Sequence, residues 1–293
     1  MAEADAVVGG TDLPRSRAEL EAALDALVRE HRFTIAVVFP AFGAVLLVAS
    51  AEALLPGPLS FNPHLILFGT LVMRLPLVAG VAPLVDRRAA VGLGLLTAYA
   101  FGIELLGVTT GYPYGAFEYG IDLGPMLFGL VPVGLPVFFF PLVLNAYLLV
   151  LLLLGERADS APVRLLSVIG TVLAVDLVLD PGAVALTFWV YDGGGAFYGV
   201  PWSNYAGWVL SATVAVLAFD RSFDRFALAD RLDRTEFMLD DLVSFVVLWG
   251  SINAYFGNWI PVLVAAALGL GLLYTDRFDF SVRETAPGGR RWW

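Results

Sequence analysis

The chain has 293 residues, 59% of them hydrophobic, and its mean hydropathy of +0.79 excludes an ordinary water-soluble domain of this length. Its formal net charge is −10, and no nucleic-acid partner is expected. The absence of cysteine excludes disulfides, catalytic thiolates and iron–sulfur centres.

The first predicted element is a short helix on the inner side of the membrane. Ser16-x-x-Glu19 is a capping-box pattern, and apolar residues follow it at helical spacing as far as Arg32. We therefore interpret residues 1–32 as a cytoplasmic N-terminal segment with an interfacial helix.

Apolar runs that can cross a hydrocarbon core of about 30 Å fill most of the remaining chain. They predict an all-α integral membrane protein, with a transmembrane domain over residues 33–275 and a cytoplasmic tail over 276–293. Because only Gly257–Asn258 separates the last two runs, seven spans are an alternative to eight. The predicted spans are 33–54, 64–84, 89–107, 132–154, 163–181, 204–219, 239–256 and 259–274.

The basic residues predict the orientation of these spans. All 17 are arginine, and 16 of them lie on one side, while the connections 108–131 and 182–203 contain none. By the positive-inside rule both termini are cytoplasmic and these two connections face outward. The charged loop 220–238 is expected to be an amphipathic segment at the inner surface, and Asp240 and Asp241 beside it to be solvated.

Charged side chains inside the spans are the candidate functional residues, because each costs about 2.5–3.5 kcal/mol to insert. At a rise of about 1.5 Å per residue, Glu104, Asp176 and Asp180 lie in the outer half of the membrane and Arg74 near mid-depth. Asp176 and Asp180 are four residues apart, so they share one helix face.

This pattern points to proton chemistry on an apolar substrate. Two neighbouring carboxylates cannot both ionise cheaply away from water, so one of Asp176 and Asp180 should keep a proton unless Arg74 neutralises it. A neutral carboxylic acid can protonate an unactivated C=C bond, and a second carboxylate can deprotonate an attacking water. Aromatic faces would stabilise the intervening tertiary cation. The candidates for this role are Tyr112, Tyr114, Trp189, Trp202, Tyr205 and Trp208.

Structural roles are alternatives for the same residues. Arg74 paired with Glu104 or Asp176 would hold helices together rather than set acidity, and Asp180-Pro181 would be only a helix end. Part of the aromatic set would be an ordinary interfacial belt.

Other chemistries lack the residues they need. His31 and His64 are isolated on opposite sides of the membrane, so no metal site is expected, and Gly92 and Gly94 lie inside a span rather than in a dinucleotide fold. A redox-neutral reaction without a cofactor fits best.

Three motifs surround the candidate residues. They are Glu104-x-x-Gly107 followed by Gly111-Tyr112-Pro113-Tyr114-Gly115, then Asp176-x-x-x-Asp180-Pro181, then Tyr198-Gly199-Val200-Pro201-x-x-Asn204-Tyr205-x-x-Trp208. At these motifs, over roughly residues 60–275, the chain resembles the carotenoid-biosynthesis integral membrane family that contains carotenoid hydratases. Tyr198 and Asn204 join the substrate-binding candidates through the third motif.

The resemblance implies addition of water across a terminal C1=C2 bond of a carotenoid in the bilayer. Together with the acidic, lysine-free composition, which is typical of a halophilic archaeon, it implies hydration of both ends of a C50 carotenoid to give bacterioruberin. The expected setting is the cell membrane, in contact with lipid and in association with other carotenoid-pathway membrane enzymes.

Three alternatives remain at this stage. Asp176-x-x-x-Asp180 also resembles half of the Asp-rich diphosphate motif of membrane prenyltransferases, which need a second motif and basic residues. A membrane carotenoid cyclase also protonates a polyene end. A transporter or carotenoid-binding protein would bind without chemistry.

Overall fold

The protein is described here from a computed structural model that covers residues 16–275. The predicted tail 276–293 and the first 15 residues lie outside this range. The helices are α1 (Arg17–Glu30), α2 (Phe39–Ala51), α3 (Pro63–Val81), α4 (Arg87–Thr110), α5 (Leu135–Leu154), α6 (Ala161–Ala185), α7 (Trp202–Ser222), α8 (Arg225–Arg234), α9 (Asp240–Tyr255) and α10 (Trp259–Tyr274). The strands are β1 (Phe117–Tyr119), β2 (Met126–Leu127), β3 (Val131–Pro132) and β4 (Trp189–Tyr191).

The architecture confirms an all-α polytopic membrane protein. A helix covers each of the eight predicted spans, and in the described part of the chain six helical segments are long and apolar enough to cross a membrane. The 16-residue α10 is a shorter apolar helix that packs on α6 and α9, while α7 packs on α4 and α6. A turn separates α9 from α10, so the two form distinct helices.

Helix α5 is the centre of the bundle. Every residue from Pro141 to Leu151 is buried, which is the pattern of a helix surrounded by other helices. By contrast, only 17% of the most apolar 18-residue stretch of α4 is buried. The side chains of Val91, Leu95 and Leu106 point outward. One face of α4 is therefore available to lipid.

Helix α6 continues past Pro181, the residue at which the sequence predicted its end. Pro181 lies inside the helix, which ends at Ala185. The side-chain amides of Asn253 and Asn258 donate hydrogen bonds to the carbonyls of Val178 and Pro181, at 2.7 and 3.3 Å. These two bonds tie this end of α6 to α9 and to the turn that follows it.

The predicted inner elements are present. The Ser16 hydroxyl accepts a hydrogen bond from the Glu19 amide at 3.2 Å, as the capping box predicts. Helix α8 is amphipathic and buries Leu228 and Leu232 completely. Arg231 donates to Asp25 at 2.8 Å and so ties α8 to α1.

The prediction that Asp240 and Asp241 are solvated is wrong, because both side chains are fully buried. Asp240 pairs with Arg32 at 2.6 Å, and Asp241 pairs with Arg74. Asn145 donates to the other oxygen of Asp241 at 2.6 Å. Arginine and amide donors compensate the loss of hydration that burial imposes on a carboxylate.

The two outer connections form a shared cover over one end of the bundle. Strand β1 from the first pairs antiparallel with β4 from the second, with Phe117 opposite Tyr191 and Tyr119 opposite Trp189. This pairing places side chains from both connections above the ends of α4 and α6, whose carboxylates lie beneath it.

Candidate functional site

A cavity beneath the β1–β4 pair contains two of the predicted carboxylates. Glu104 of α4 and Asp180 of α6 line it together with Asn204 of α7, and its other walls are aromatic and aliphatic side chains. Its empty volume is about 930 Å³, counting the part that is open to the surroundings. This is the size and composition of a site for an apolar ligand with a few placed polar groups.

Asn204 holds the two aspartates of α6 together. Its Nδ2 donates to Asp176 Oδ2 at 2.9 Å and also to Asp180 Oδ2. Asp176 lies behind Asn204 and is 1% exposed, and its Oδ1 has no hydrogen-bond partner among residues 16–275. Asp180 therefore faces the cavity, whereas Asp176 supports it from behind.

A tyrosine from each strand reaches each cavity carboxylate. The Tyr119 hydroxyl donates to Glu104 Oε1, and the Tyr191 hydroxyl lies 3.5 Å from Asp180 Oδ2, to which it donates. Burial, followed by the nearby Glu104, raises the pKa of Tyr119, and burial followed by Asp180 raises the pKa of Tyr191. Both phenols therefore keep their protons and remain hydrogen-bond donors.

Sequence reasoning missed Tyr119 and Tyr191. The signal was present in Phe117-Glu118-Tyr119 and Trp189-Val190-Tyr191, where aromatic residues alternate with another residue. Successive side chains of a strand point to opposite faces, so such alternation places both aromatics of each strand on one face.

Several predicted aromatic residues do line the cavity. Tyr114, Trp189 and Trp208 are among its walls, joined by Phe139 and Trp249. The rings of Phe139 and Trp208 are stacked, with centroids 5.8 Å apart. The structure therefore brings these π faces into the same cavity as Glu104 and Asp180.

Tyr114 is wedged between two glycines of different helices. A Cβ built on Gly207 of α7 would lie 2.4 Å from Tyr114 Cδ1, and one on Gly107 of α4 would lie 3.1 Å from Tyr114 Cδ2. The Tyr114 hydroxyl shares a 2.6 Å hydrogen bond with Ser211. The close approach of α4 and α7 to this ring is possible because Gly107 and Gly207 have no side chain.

Substitution of Gly207 by alanine should displace Tyr114 and loosen this wall of the cavity. We expect Gly207→Ala to lower the free energy of unfolding by about 1–3 kcal/mol, because the added methyl overlaps the ring. Thermal unfolding of the detergent-solubilised protein measures the effect. Gly102→Ala is the control, since a Cβ there meets nothing within 4 Å, and an equal loss in both variants would contradict the explanation.

Other predicted binding residues are not among those that line the cavity. Tyr112 and Trp202 are 64% and 62% exposed, and the Tyr198 hydroxyl accepts a hydrogen bond from the Ile260 amide at 3.4 Å. Tyr205 is buried beside Trp202, at a ring distance of 5.6 Å, and packs behind the cavity walls. Tyr112 and Trp202 occupy positions typical of an interfacial belt, and a role of these four residues in substrate binding stays a prediction.

Arg74 does not join the carboxylate cluster. Its guanidinium pairs with Asp241 of α9, and its Nε donates to the Val137 carbonyl at 3.2 Å. Across residues 16–275, no arginine forms a salt bridge with Glu104, Asp176 or Asp180. The expected pairing of Arg74 with Glu104 or Asp176 is therefore corrected, because Asp241 takes up its charge.

The arrangement suits transfer of a proton to and from an apolar molecule. Glu104 and Asp180 come from different helices, and each lies beside a phenol. The other residues that line the cavity carry no charge. Within residues 16–275 no group of three or more His, Asp or Glu has the arrangement of a metal site.

The chain is similar to known proteins over most of its length. A family model described as "Carotenoid biosynthesis protein" matches residues 61–272. The chain is also similar to the bisanhydrobacterioruberin hydratase of Haloarcula japonica, with 65% identity over 288 residues and coverage of 98% of each chain. No solved structure matches the chain significantly.

Proposed function

This chain belongs to the carotenoid biosynthesis protein family, and from that premise we propose that it is a carotenoid hydratase. The substrate is bisanhydrobacterioruberin, and water is added across its terminal C1=C2 bonds to give bacterioruberin. The similarity to a hydratase of that name over nearly the whole chain supports this substrate. The single structural observation that carries the chemistry is the pair of carboxyl groups, Glu104 and Asp180, in one aromatic cavity.

The reaction begins with a carboxylic acid of this pair. Its proton and the π electrons of the C1=C2 bond form a new C2–H bond, which leaves a carboxylate and a tertiary cation at C1. Tyr119 and Tyr191 orient the two carboxyl groups through their hydrogen bonds. Asp176 is a positioning residue, because Asn204 separates it from the cavity.

The second carboxyl group completes the hydration. A water molecule forms the C1–O bond and gives one of its protons to this group, which is ionised at that point. One carboxyl has then lost a proton and the other has gained one, so the pair ends the cycle with the proton count with which it began. The net change is the addition of one water to each end, with no oxidation or reduction.

The aromatic walls stabilise the intermediate cation. Trp208 and Phe139 present stacked rings, and Trp189 lies across the cavity on β4. Attraction between a cation and a ring face is worth about 2 kcal/mol when water is excluded. The same walls limit the access of bulk water, so that elimination and side reactions are restrained.

We also propose a location in the cell membrane, with the termini on the cytoplasmic side. The distribution of arginines supports this orientation, and the outward apolar face of α4 supports contact with lipid. Association with other carotenoid-pathway membrane enzymes would pass the apolar substrate along without release into water. The genus of the similar hydratase supports a halophilic archaeal source.

Incubation of the purified protein with bisanhydrobacterioruberin in water enriched in heavy oxygen tests the function. We expect products that are heavier by one and then two waters, with the heavy oxygen in a tertiary hydroxyl. In deuterated water one deuterium should appear at C2 of each hydrated end. A cyclised product of unchanged mass would indicate a cyclase, and bound but unaltered pigment would indicate a carrier; either result would overturn the proposal.

A further inference from the structure

A second cavity lies beside the site, between α2, α3 and α9. Its empty volume is about 660 Å³, and residues on α2 such as Gly43 and Leu46 form one side, while Gly69 and Met73 of α3 form the other. Leu59 and Leu65, each about half-exposed, lie at its edge, so the cavity reaches the surface of the bundle there.

Three polar side chains around this second cavity, those of Ser50, Asn62 and Thr70, form hydrogen bonds within the protein. Ser50 donates to the Leu46 carbonyl at 2.8 Å and accepts from the Phe61 amide at 3.2 Å. Thr70 donates to the Ile66 carbonyl at 2.8 Å. Asn62 uses its side-chain oxygen to cap α3 and its Nδ2 to reach the Pro58 carbonyl.

These internal bonds engage the side-chain polar groups of Ser50, Thr70 and Asn62, and the rest of the lining is almost entirely aliphatic and aromatic. A ligand that carried a hydroxyl, a charge or a phosphate would lose its hydration here without compensation. The cavity therefore fits a hydrocarbon segment that has no polar atoms, such as the middle of a conjugated polyene.

The two cavities share a wall of three aromatic side chains. Phe138, Phe188 and Trp249 line both of them. Phe188 and Trp249 meet edge to face, with ring centroids 6.1 Å apart. The second cavity therefore lies directly behind this wall, next to the space that contains Glu104 and Asp180.

A C50 carotenoid needs apolar space beyond the first cavity. The cavity that contains the carboxylates is of the size that holds a drug-sized ligand, and pockets of this kind span about 300–1,000 Å³. It holds an end group, but the long chain attached to that end group must leave it. The second cavity adjoins this one across the aromatic wall and is open at Leu59 and Leu65, so it offers apolar space for that chain.

We propose that this second cavity binds the polyene chain of the substrate while one end group lies at Glu104 and Asp180. The inference rests on the proposed function for the identity of the occupant. The cavity is a specificity site: it selects a long hydrocarbon over a short one, because burial of each further segment adds to binding.

Gly69 allows this binding site to be closed by substitution. A Cβ at Gly69 meets nothing within 4 Å, so larger side chains extend into the cavity rather than into packed atoms. Gly102 of α4 is the matched control, because its Cβ also meets nothing within 4 Å and it lies on the exposed face of the helix. The series Gly69→Ala, Gly69→Leu and Gly69→Trp is compared with the same three changes at Gly102.

Two measurements are made on each variant with bisanhydrobacterioruberin. The first is the amount of pigment that the protein retains through detergent washing, and the second is KM together with kcat. We expect retention to fall along the Gly69 series and KM to rise by about tenfold or more for Gly69→Trp, since tenfold corresponds to about two buried methylene groups. The value of kcat at saturation should change much less, and the Gly102 series should match the unaltered protein.

Unchanged retention and KM in Gly69→Trp, or equal losses in the Gly102 series, would overturn the inference. Thermal unfolding of each variant shows whether the fold is intact, and Gly69→Leu provides a smaller change if Gly69→Trp is unstable. Retention does not require turnover, so the two proposals fail separately. Pigment that is retained by the unaltered protein but never hydrated would remove the proposed reaction and leave the binding site in place.

Discussion

Asp180→Asn and Glu104→Gln should each abolish hydration while the helical bundle stays folded. Both changes keep the size of the side chain and remove its ability to give or take a proton. Loss of a general acid or base lowers the rate by about 10²–10⁴-fold. The hydration rate of each variant should therefore fall by this factor or below the limit of detection. The measurement is the rate of hydrated product formed from bisanhydrobacterioruberin, with thermal unfolding as the check on the fold.

Two carboxylates near the site but outside the cavity provide controls. Glu118 lies on β1 between Phe117 and Tyr119 with its side chain exposed, and Asp192 is exposed just after β4. Glu118→Gln and Asp192→Asn should leave the rate unchanged. Full activity in both Asp180→Asn and Glu104→Gln would mean that the chemistry takes place elsewhere.

Asp176→Asn separates a positioning role from a catalytic one. Asn204 donates hydrogen bonds to both Asp176 and Asp180. Loss of the Asp176 carboxylate should therefore disturb the position of Asp180 without removing a reacting group. We therefore expect a smaller loss of rate than in Asp180→Asn, as part of the same comparison. An equal loss would place Asp176 in the proton transfer itself.

Arg74→Ala should lower the free energy of unfolding by about 3–5 kcal/mol. The change leaves Asp241 fully buried without its ion-pair partner, and removal of one member of a buried pair costs this much. Asn145 still donates to Asp241, but an amide does not neutralise the charge. Thermal or denaturant unfolding in detergent measures the loss.

A surface pair on the same chain supplies the control. Arg234 and Asp230 form an i,i+4 pair whose side chains are 76% and 59% exposed, and such pairs contribute about 0–1 kcal/mol. Arg234→Ala should therefore have little effect. An equal small effect in Arg74→Ala would show that the buried pair does not stabilise the bundle.

The double variant Arg74→Met with Asp241→Leu tests the role that sequence reasoning gave to Arg74. Apolar residues of similar volume often replace a buried ion pair without loss of stability. A folded double variant that hydrates its substrate would show that Arg74 holds α3 to α9 and takes no part in catalysis.

The membrane spans and the depth of the carboxylates could be read from the sequence because both are one-dimensional. Hydropathy and length mark a helix, and the position of Glu104 or Asp180 along its helix gives its height in the membrane. The division at residues 33 and 276 into a membrane domain and flanking segments stays a prediction.

The rotation of each helix about its axis and the identity of its neighbours depend on packing in three dimensions. The wrong predictions concern these two properties. Arg74 was predicted to lie near mid-depth beside Glu104 or Asp176, but α9 rather than α4 or α6 faces it. Asp240 and Asp241 sit at the start of a helix, where solvation is usual, yet the elements around α9 bury them. Tyr112 and Tyr119 belong to the same aromatic loop, and only the pairing of β1 with β4 decides which of them reaches Glu104.

That pairing also makes the site sensitive to the spacing of residues in its cover. Alternate side chains of β1 point to opposite faces, so Tyr119 faces the interior while its neighbour Glu118 faces out. An extra residue just before Phe117 would invert this alternation and direct Glu118 towards Glu104. A phenol that donates a hydrogen bond would be replaced by a third carboxyl group. The length of this strand is therefore as much a requirement of the chemistry as the identity of its residues.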